Sequence, residues 1–167
     1  MTNKFLAKIF EHNNWANQKI VDVCLTLTDD QLDAPPQSAT EGTIRSTLLH
    51  LVVAQYNYLR LLTLPLEKRE DKVWIEFSEI QESLQNSGEE LLQLAKDTSK
   101  LPAIPIQTKD GYFVEAWVLM VQIINHATEH REQIKSMLTA QGITPPSIDG
   151  WDYGEVTDAI KPTEKDP

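Results

Sequence analysis

The sequence predicts an all-α fold: a four-helix bundle with a short hairpin or loop insertion before helix four. Three observations predict it. Apolar residues recur three, four or seven apart over four long stretches, the spacing of one helix face. The breaks between those stretches are rich in Pro, Asp, Ser and Gly, which do not extend a helix. One segment, 99–115, carries β-forming residues around a Lys-Asp-Gly turn. Four amphipathic helices on short-to-medium connections bury their stripes against one another.

Phe5, Ile9, Ala16, Ile20, Val23 and Leu27 mark the inner face of helix one, from about residue 3 to 27. Thr28 then opens TDDQLDAPPQSATEG, which breaks it. Thr43 suits the N-cap of helix two, which runs from Ile44 to about Leu64. Its stripe is Ile44, Leu48, Leu51, Val52, Leu59 and Leu62, yet Leu49, Val53 and Tyr56 lie well away from that stripe. A helix apolar nearly all round is buried on more than one side, in the bundle centre or against a second subunit. Pro65 ends it. Helix three spans about Val73 to Lys96, with Val73, Phe77, Ile80, Leu84, Leu91 and Leu94 inside and Glu76, Glu79, Glu82 and Glu89 outside. Gly88 interrupts that pattern at a cost of about 1 kcal/mol against Ala, which a close helix crossing would explain but which need have no structural meaning. A hairpin turns across Asp110-Gly111. Helix four runs from about Glu115 to Gln141, with Gly142 as its stop and Pro145 just beyond. SIDGWDYGEVTDAI suits a short closing helix, and residues 161–167 a disordered tail after one domain of residues 1–160.

Composition excludes several classes of function. The chain has 167 residues, enough for one core without disulfides. Its formal net charge of −10 argues against nucleic acid and against anionic membranes as partners. The single cysteine, Cys24, excludes an internal disulfide and a cysteine-based metal cage, and falls on the apolar side of helix one. No apolar run approaches the roughly 18 residues of a membrane span. The opening MTNKFLAKIFEHNNWAN is too interrupted by charge and amide for a signal peptide. A cytoplasmic location fits these features. Trp15, Trp74 and Trp117 read as packing residues, and no phosphate loop, GxSxG or HExxH is present.

The sharpest chemical signal is NHATEHREQ in helix four. His126 and His130 sit four apart, so they return to nearly one face about 6 Å apart along the axis. That face also carries Leu119, Ile123, Ile134 and Met137, so both rings point inward. Two imidazoles so placed can share a metal ion, or they can be core histidines bonded to carboxylates, amides or waters. His50 lies midway along helix two, on a side with Thr43, Ser46, Thr47, Ala54 and Asn57, which suits the lining of a pocket. His50, His126 and His130 together favour a three-histidine metal site with an open position. Asn125, Glu129 and Gln133 are candidates to bond the remaining ring nitrogens. His12 reads as a surface or pocket-rim residue.

Four stretches resemble the DinB-like family of metal-binding four-helix bundles, which includes thiol-dependent transferases. They are NNWANQKIVDVCLTL, GTIRSTLLHLVVAQYNYLRLL with His50, INHATEHREQIKSMLTAQG with an NHxxxHRxQ signature, and the Pro-Pro-Ser-Ile-Asp run after helix four. Glu132 departs from the pattern, since many members carry Gly after the Arg. The resemblance implies a homodimer and a divalent metal, usually zinc or nickel. It also implies an activity that moves a low-molecular-weight thiol onto an electrophile or isomerises using one. Three neutral imidazoles leave a metal its full charge, so a thiol or water beside it is acidified. Three readings follow: a metal-dependent transferase acting with a thiol on a small-molecule substrate, a metal-dependent hydrolase activating water, and a non-catalytic stress-response module with a structural metal. The lack of a general base on helix four beyond Glu129 favours the thiol reading. Structural zinc normally has four protein ligands, and no fourth is evident except His12.

Overall fold

The structure is a computed structural model that describes residues 4–37, 42–69 and 74–163. Six helices are present among them: α1 (Lys4–Cys24), α2 (Asp29–Leu32), α3 (Ile44–Thr63), α4 (Ile80–Lys96), α5 (Ala116–Ala140) and α6 (Gly150–Val156). A hairpin of β1 (Ile106–Gln107) and β2 (Phe113–Val114) precedes α5. The four long helices form a bundle in which α1 packs on α4 and α5, and α3 on α4 and α5.

Local chemistry sets the boundaries. Helix one stops at Cys24, three residues short of the expected end, because Thr26 and Leu27 fold back onto the carbonyls of Val23 and Cys24. Thr28 then caps the four-residue α2 through a capping box with Gln31. Thr43 accepts from the Ser46 amide and caps α3. Helix three begins later than its apolar pattern suggests. A 3-10 turn at Phe77–Glu79, boxed by Glu76 and Glu79, leads into α4 at Ile80. Val73 lies outside the described residues. Trp74 lies before α4 and is 81 % exposed, so it is not part of the core. Trp117, 65 % exposed on α5, is not part of it either. Past α5, Gly142 adopts a φ of 73° while its amide and that of Ile143 cap the Thr139 and Leu138 carbonyls, a Schellman stop.

The hairpin pairs Ile106 with Val114 and Gln107 with Phe113. Its loop is three residues, Lys109–Gly111, with Gly111 at a φ of 92°, rather than a two-residue turn at Asp110-Gly111. Ile106 anchors it in the core. The closing helix is shorter than its segment, and Asp149 caps it through the amides of Trp151 and Asp152. Of the expected tail, residues 161–163 are exposed and irregular, and residues 164–167 lie outside the described residues.

The core is divided. One apolar cluster holds Ile20, Cys24, Leu48, Leu51, Ile134 and Leu138. The other holds Phe10, Leu59, Leu62, Leu91, Leu119 and Ile123. Leu59 and Leu62 meet the start of α5 while Leu48 and Leu51 meet its later turns, so α3 and α5 run antiparallel. Between the clusters lies a polar belt of Asn13, Asn17, Gln55, Ser87 and Arg131, all buried. The belt corrects the expected seam of helix one. Ala7, Phe10, Asn13, Asn17, Ile20 and Cys24 face inward, whereas Phe5 is exposed. A purely apolar reading turns the two asparagines out to solvent and rotates the seam.

Gly88 lies at the crossing of α4 with α1. A Cβ there would meet Asn14 Oδ1 at 2.8 Å, and Asn14 Nδ2 donates to the Gly88 carbonyl at 2.9 Å. The glycine therefore permits a bond between helices at the cost of helix propensity.

Candidate metal centre

The seam between α3 and α5 carries the histidine cluster at the height of the belt. His126 and His130 occupy successive turns of α5, and His50 faces them from α3. His126 Nε2 lies 3.0 Å from His50 Nε2 and 3.1 Å from His130 Nε2. The ligand atoms of all three rings lie within 4.8 Å of one another. His130 is buried; His50 and His126 are partly exposed, so the cluster opens toward solvent on one side.

The donor set fits a cation. Gln133 Oε1 lies 2.7 Å from His130 Nδ1. An amide oxygen only accepts, so His130 carries its proton on Nδ1 and presents a lone pair on Nε2. Neutral imidazoles then cannot make two linear hydrogen bonds at His126 Nε2, which holds either one hydrogen or one lone pair. If that nitrogen donates to His130 it has no lone pair for His50, and if it accepts from His50 two lone pairs face each other toward His130. A shared cation would resolve the conflict, because the three rings could each offer it a lone pair. The short separations also lie within the roughly 4 Å that two nitrogens on one ion can span at bonds of about 2.0–2.1 Å.

Of the three residues expected to support the rings, Gln133 bonds a ring nitrogen. Asn125 and Glu129 are exposed, and their side chains form no hydrogen bond among the described residues. His12 is remote in role: its Nε2 lies 2.9 Å from the Ile148 carbonyl, and its ring packs with Trp15 and Tyr153. Sequence reasoning missed Tyr58, whose ring meets His126 edge-on at 5.7 Å. Its position two turns after His50 on α3 was the available signal.

It also assigned no task to Arg131. Arg131 Nη1 donates to Asn13 Oδ1 (2.7 Å) and Asn17 Oδ1 (2.6 Å), and Nη2 to Thr128 Oγ1 (3.0 Å). Burial lowers its pKa to about 10, so it remains a cation at neutral pH, held by amides rather than by a carboxylate. Asn17 Nδ2 passes the chain to Gln55, whose Nε2 donates to the Leu84 carbonyl and to Ser87. The residue after the ligand candidate His130 is thus tied to α1, and through it to α3 and α4.

Cys24 is wholly buried, and desolvation pushes its thiol up to about 12. A thiol-specific disulfide reagent at pH 8 is expected to leave the native protein unmodified for hours and to titrate one thiol within minutes in denaturant. Rapid native labelling would place Cys24 within reach of chemistry.

No described helix is long and apolar enough to cross a membrane. The family model described as DinB family matches residues 1–165. No curated protein matches the chain.

Proposed function

This chain belongs to the DinB family, and from that premise we propose that it is a metal-dependent transferase that moves a low-molecular-weight thiol onto an electrophilic small molecule. The observation that carries the reading is the unresolved tautomer conflict at His126 Nε2, which a divalent cation relieves. His50, His126 and His130 would hold the ion; imidazole nitrogen suits several divalent metals, and the family resemblance favours zinc or nickel among them. When bound, the metal supplies a positive charge that acidifies a coordinated thiol.

The residues divide the remaining work. Gln133 fixes the His130 tautomer and ring orientation. Arg131 holds α5 against α1 and so fixes the height at which His126 and His130 face His50. The partly exposed side of His50 and His126 leaves room for a substrate to approach. Glu129 is exposed and its side chain has no hydrogen-bond partner among the described residues, so nothing there orients it toward the cluster as a general base for hydrolysis. That favours the thiol reading over a hydrolase. No fourth protein ligand adjoins the cluster among the described residues, which favours an open site over a structural metal.

A screen of small thiols against electrophiles on zinc- and nickel-loaded protein tests the reading. Thiol-dependent turnover that disappears on metal removal, with helicity intact, is the expected result. Turnover of esters or amides without thiol would make the protein a hydrolase, and unfolding on metal removal would make the metal structural.

We propose a homodimer as well. Leu49 and Val53 are partly exposed and Tyr56 is exposed on α3, so the chain alone does not cover the second apolar side of that helix. Sedimentation at micromolar concentration is expected to give twice the chain mass, and a monomer would end this proposal.

A further inference from the structure

Three rings stand around the His126 imidazole. Its centroid lies 4.3 Å from that of His130, 5.0 Å from that of His50 and 5.7 Å from that of Tyr58. The histidines bring nitrogen to a common point. Tyr58 brings a flat surface, set at 81° to the imidazole. That edge-to-face arrangement is one that aromatic pairs favour.

Tyr58 is itself held. It is partly buried and packs against the second apolar cluster, as does Leu61 one turn later on α3. It follows His50 by eight residues, about 12 Å along the helix axis. Because α5 runs antiparallel to α3, His126 lies on the Tyr58 side of the cluster and His130 beyond it. Helix α3 therefore meets the His126 ring at two levels, with His50 at one and Tyr58 at the other.

The torsion that sets a histidine ring plane is broad. Nε2 lies off the axis of that torsion, so turning the ring carries it along an arc. A binding constellation needs its groups held to roughly 0.5 Å and 10–20°. Gln133 meets that need at His130 with a hydrogen bond to Nδ1. A packed ring can meet it at His126 by shape, because an imidazole turned out of its plane runs into the phenol.

We propose that Tyr58 is a positioning residue for the metal centre: its ring holds the plane of the His126 imidazole so that Nε2 faces His50 and His130 before an ion arrives. The contact is ring against ring, so the hydroxyl takes no part. The restraint on His126 stands on the ring geometry; its effect on metal affinity rests on the metal-dependent reading above.

The test compares Tyr58→Phe, which keeps the ring, with Tyr58→Leu, which keeps an apolar side chain against the cluster and removes the flat surface. Tyr58→Met replaces Tyr58→Leu if leucine lowers the helical content. In competition against a chelator, Tyr58→Leu is expected to bind zinc about five- to tenfold more weakly, the scale of a lost aromatic pair. Tyr58→Phe is expected to bind within about twofold of the wild type on the same scale. The visible spectrum of cobalt-loaded protein, which reports the geometry around the ion, is expected to change in Tyr58→Leu and to be restored in Tyr58→Phe. A purely structural role would move neither the spectrum nor its rescue. In metal-free, isotope-labelled protein the His126 ring resonances are expected to be sharp in the wild type and Tyr58→Phe and broadened in Tyr58→Leu. Unchanged resonances in Tyr58→Leu overturn the restraint on His126. Unchanged zinc affinity in that variant overturns the role at the metal. Tyr58→Phe as weak as Tyr58→Leu moves the role to the hydroxyl and overturns the proposal. A wild type that binds no zinc ends the metal reading, and the metal-free resonances still decide the restraint.

Discussion

His126→Ala is expected to lower zinc affinity by two orders of magnitude or more, about 3 kcal/mol, while leaving the helical content unchanged. His126 is the hub of the cluster, because its Nε2 lies within about 3 Å of both other rings. Removing it leaves one donor on α3 and one on α5, with no ring between them. His50→Ala is the milder change, since it leaves the two donors on successive turns of α5. The fold tolerates both substitutions, because His126 and His50 are partly exposed and belong to neither apolar cluster. Competition against a chelator of known affinity, with elemental analysis of the purified protein, measures the effect. Equal metal content in the wild type and His126→Ala would remove the metal centre and, with it, the transferase reading.

Arg131→Ala is expected to destabilise the fold by about 3–4 kcal/mol in urea denaturation. Arg131 is 3 % exposed, and loss of its guanidinium strands Asn13 Oδ1 and Asn17 Oδ1 in the interior. Each stranded acceptor costs about 1–3 kcal/mol, beyond the lost packing of the side chain. The net figure lies below the sum of those terms because the wild type already carries a strain of its own. Among the described residues Arg131 Nε and Asn13 Nδ2 are buried without partners, and the desolvated cation touches no carboxylate, with only the charge of neighbouring Glu132 to offset its burial. Arg131→Lys is expected to cost about half as much, since an ammonium does not reproduce the planar grip of a guanidinium on two acceptors. A stability loss under 1 kcal/mol for Arg131→Ala would mean that the belt contributes little to the fold.

The four long helices were legible because their apolar residues repeat at helical spacing and strong breakers stand between them. Thr43, Gly142 and the hairpin were legible for the same reason, since local backbone chemistry fixes them. The histidine triad was legible as a spacing of four on one helix and a lone inward histidine on another. What periodicity hid was the polar interior. Asn13 and Asn17 look like surface residues until Arg131 is found between α1 and α5, more than a hundred positions away in sequence. The late start of α4 was hidden too, because Phe77 fits the helical spacing while the Glu76–Glu79 box sets the true beginning. Gln133 is distinguished from Asn125 and Glu129 only by the side of α5 from which each leaves, within a turn or two of the same rings.

The belt across the middle of the bundle also answers a question of alignment. Leucine stripes are almost indifferent to sliding: a helix displaced by one turn, about 5.4 Å, meets leucine with leucine again. A row of amides around one guanidinium is not indifferent, since the same displacement sets each polar group against hydrocarbon. The belt thus acts as a notch that admits a single longitudinal setting of all four helices. Imidazoles borne on two separate rods can meet at one point only when that setting is unique.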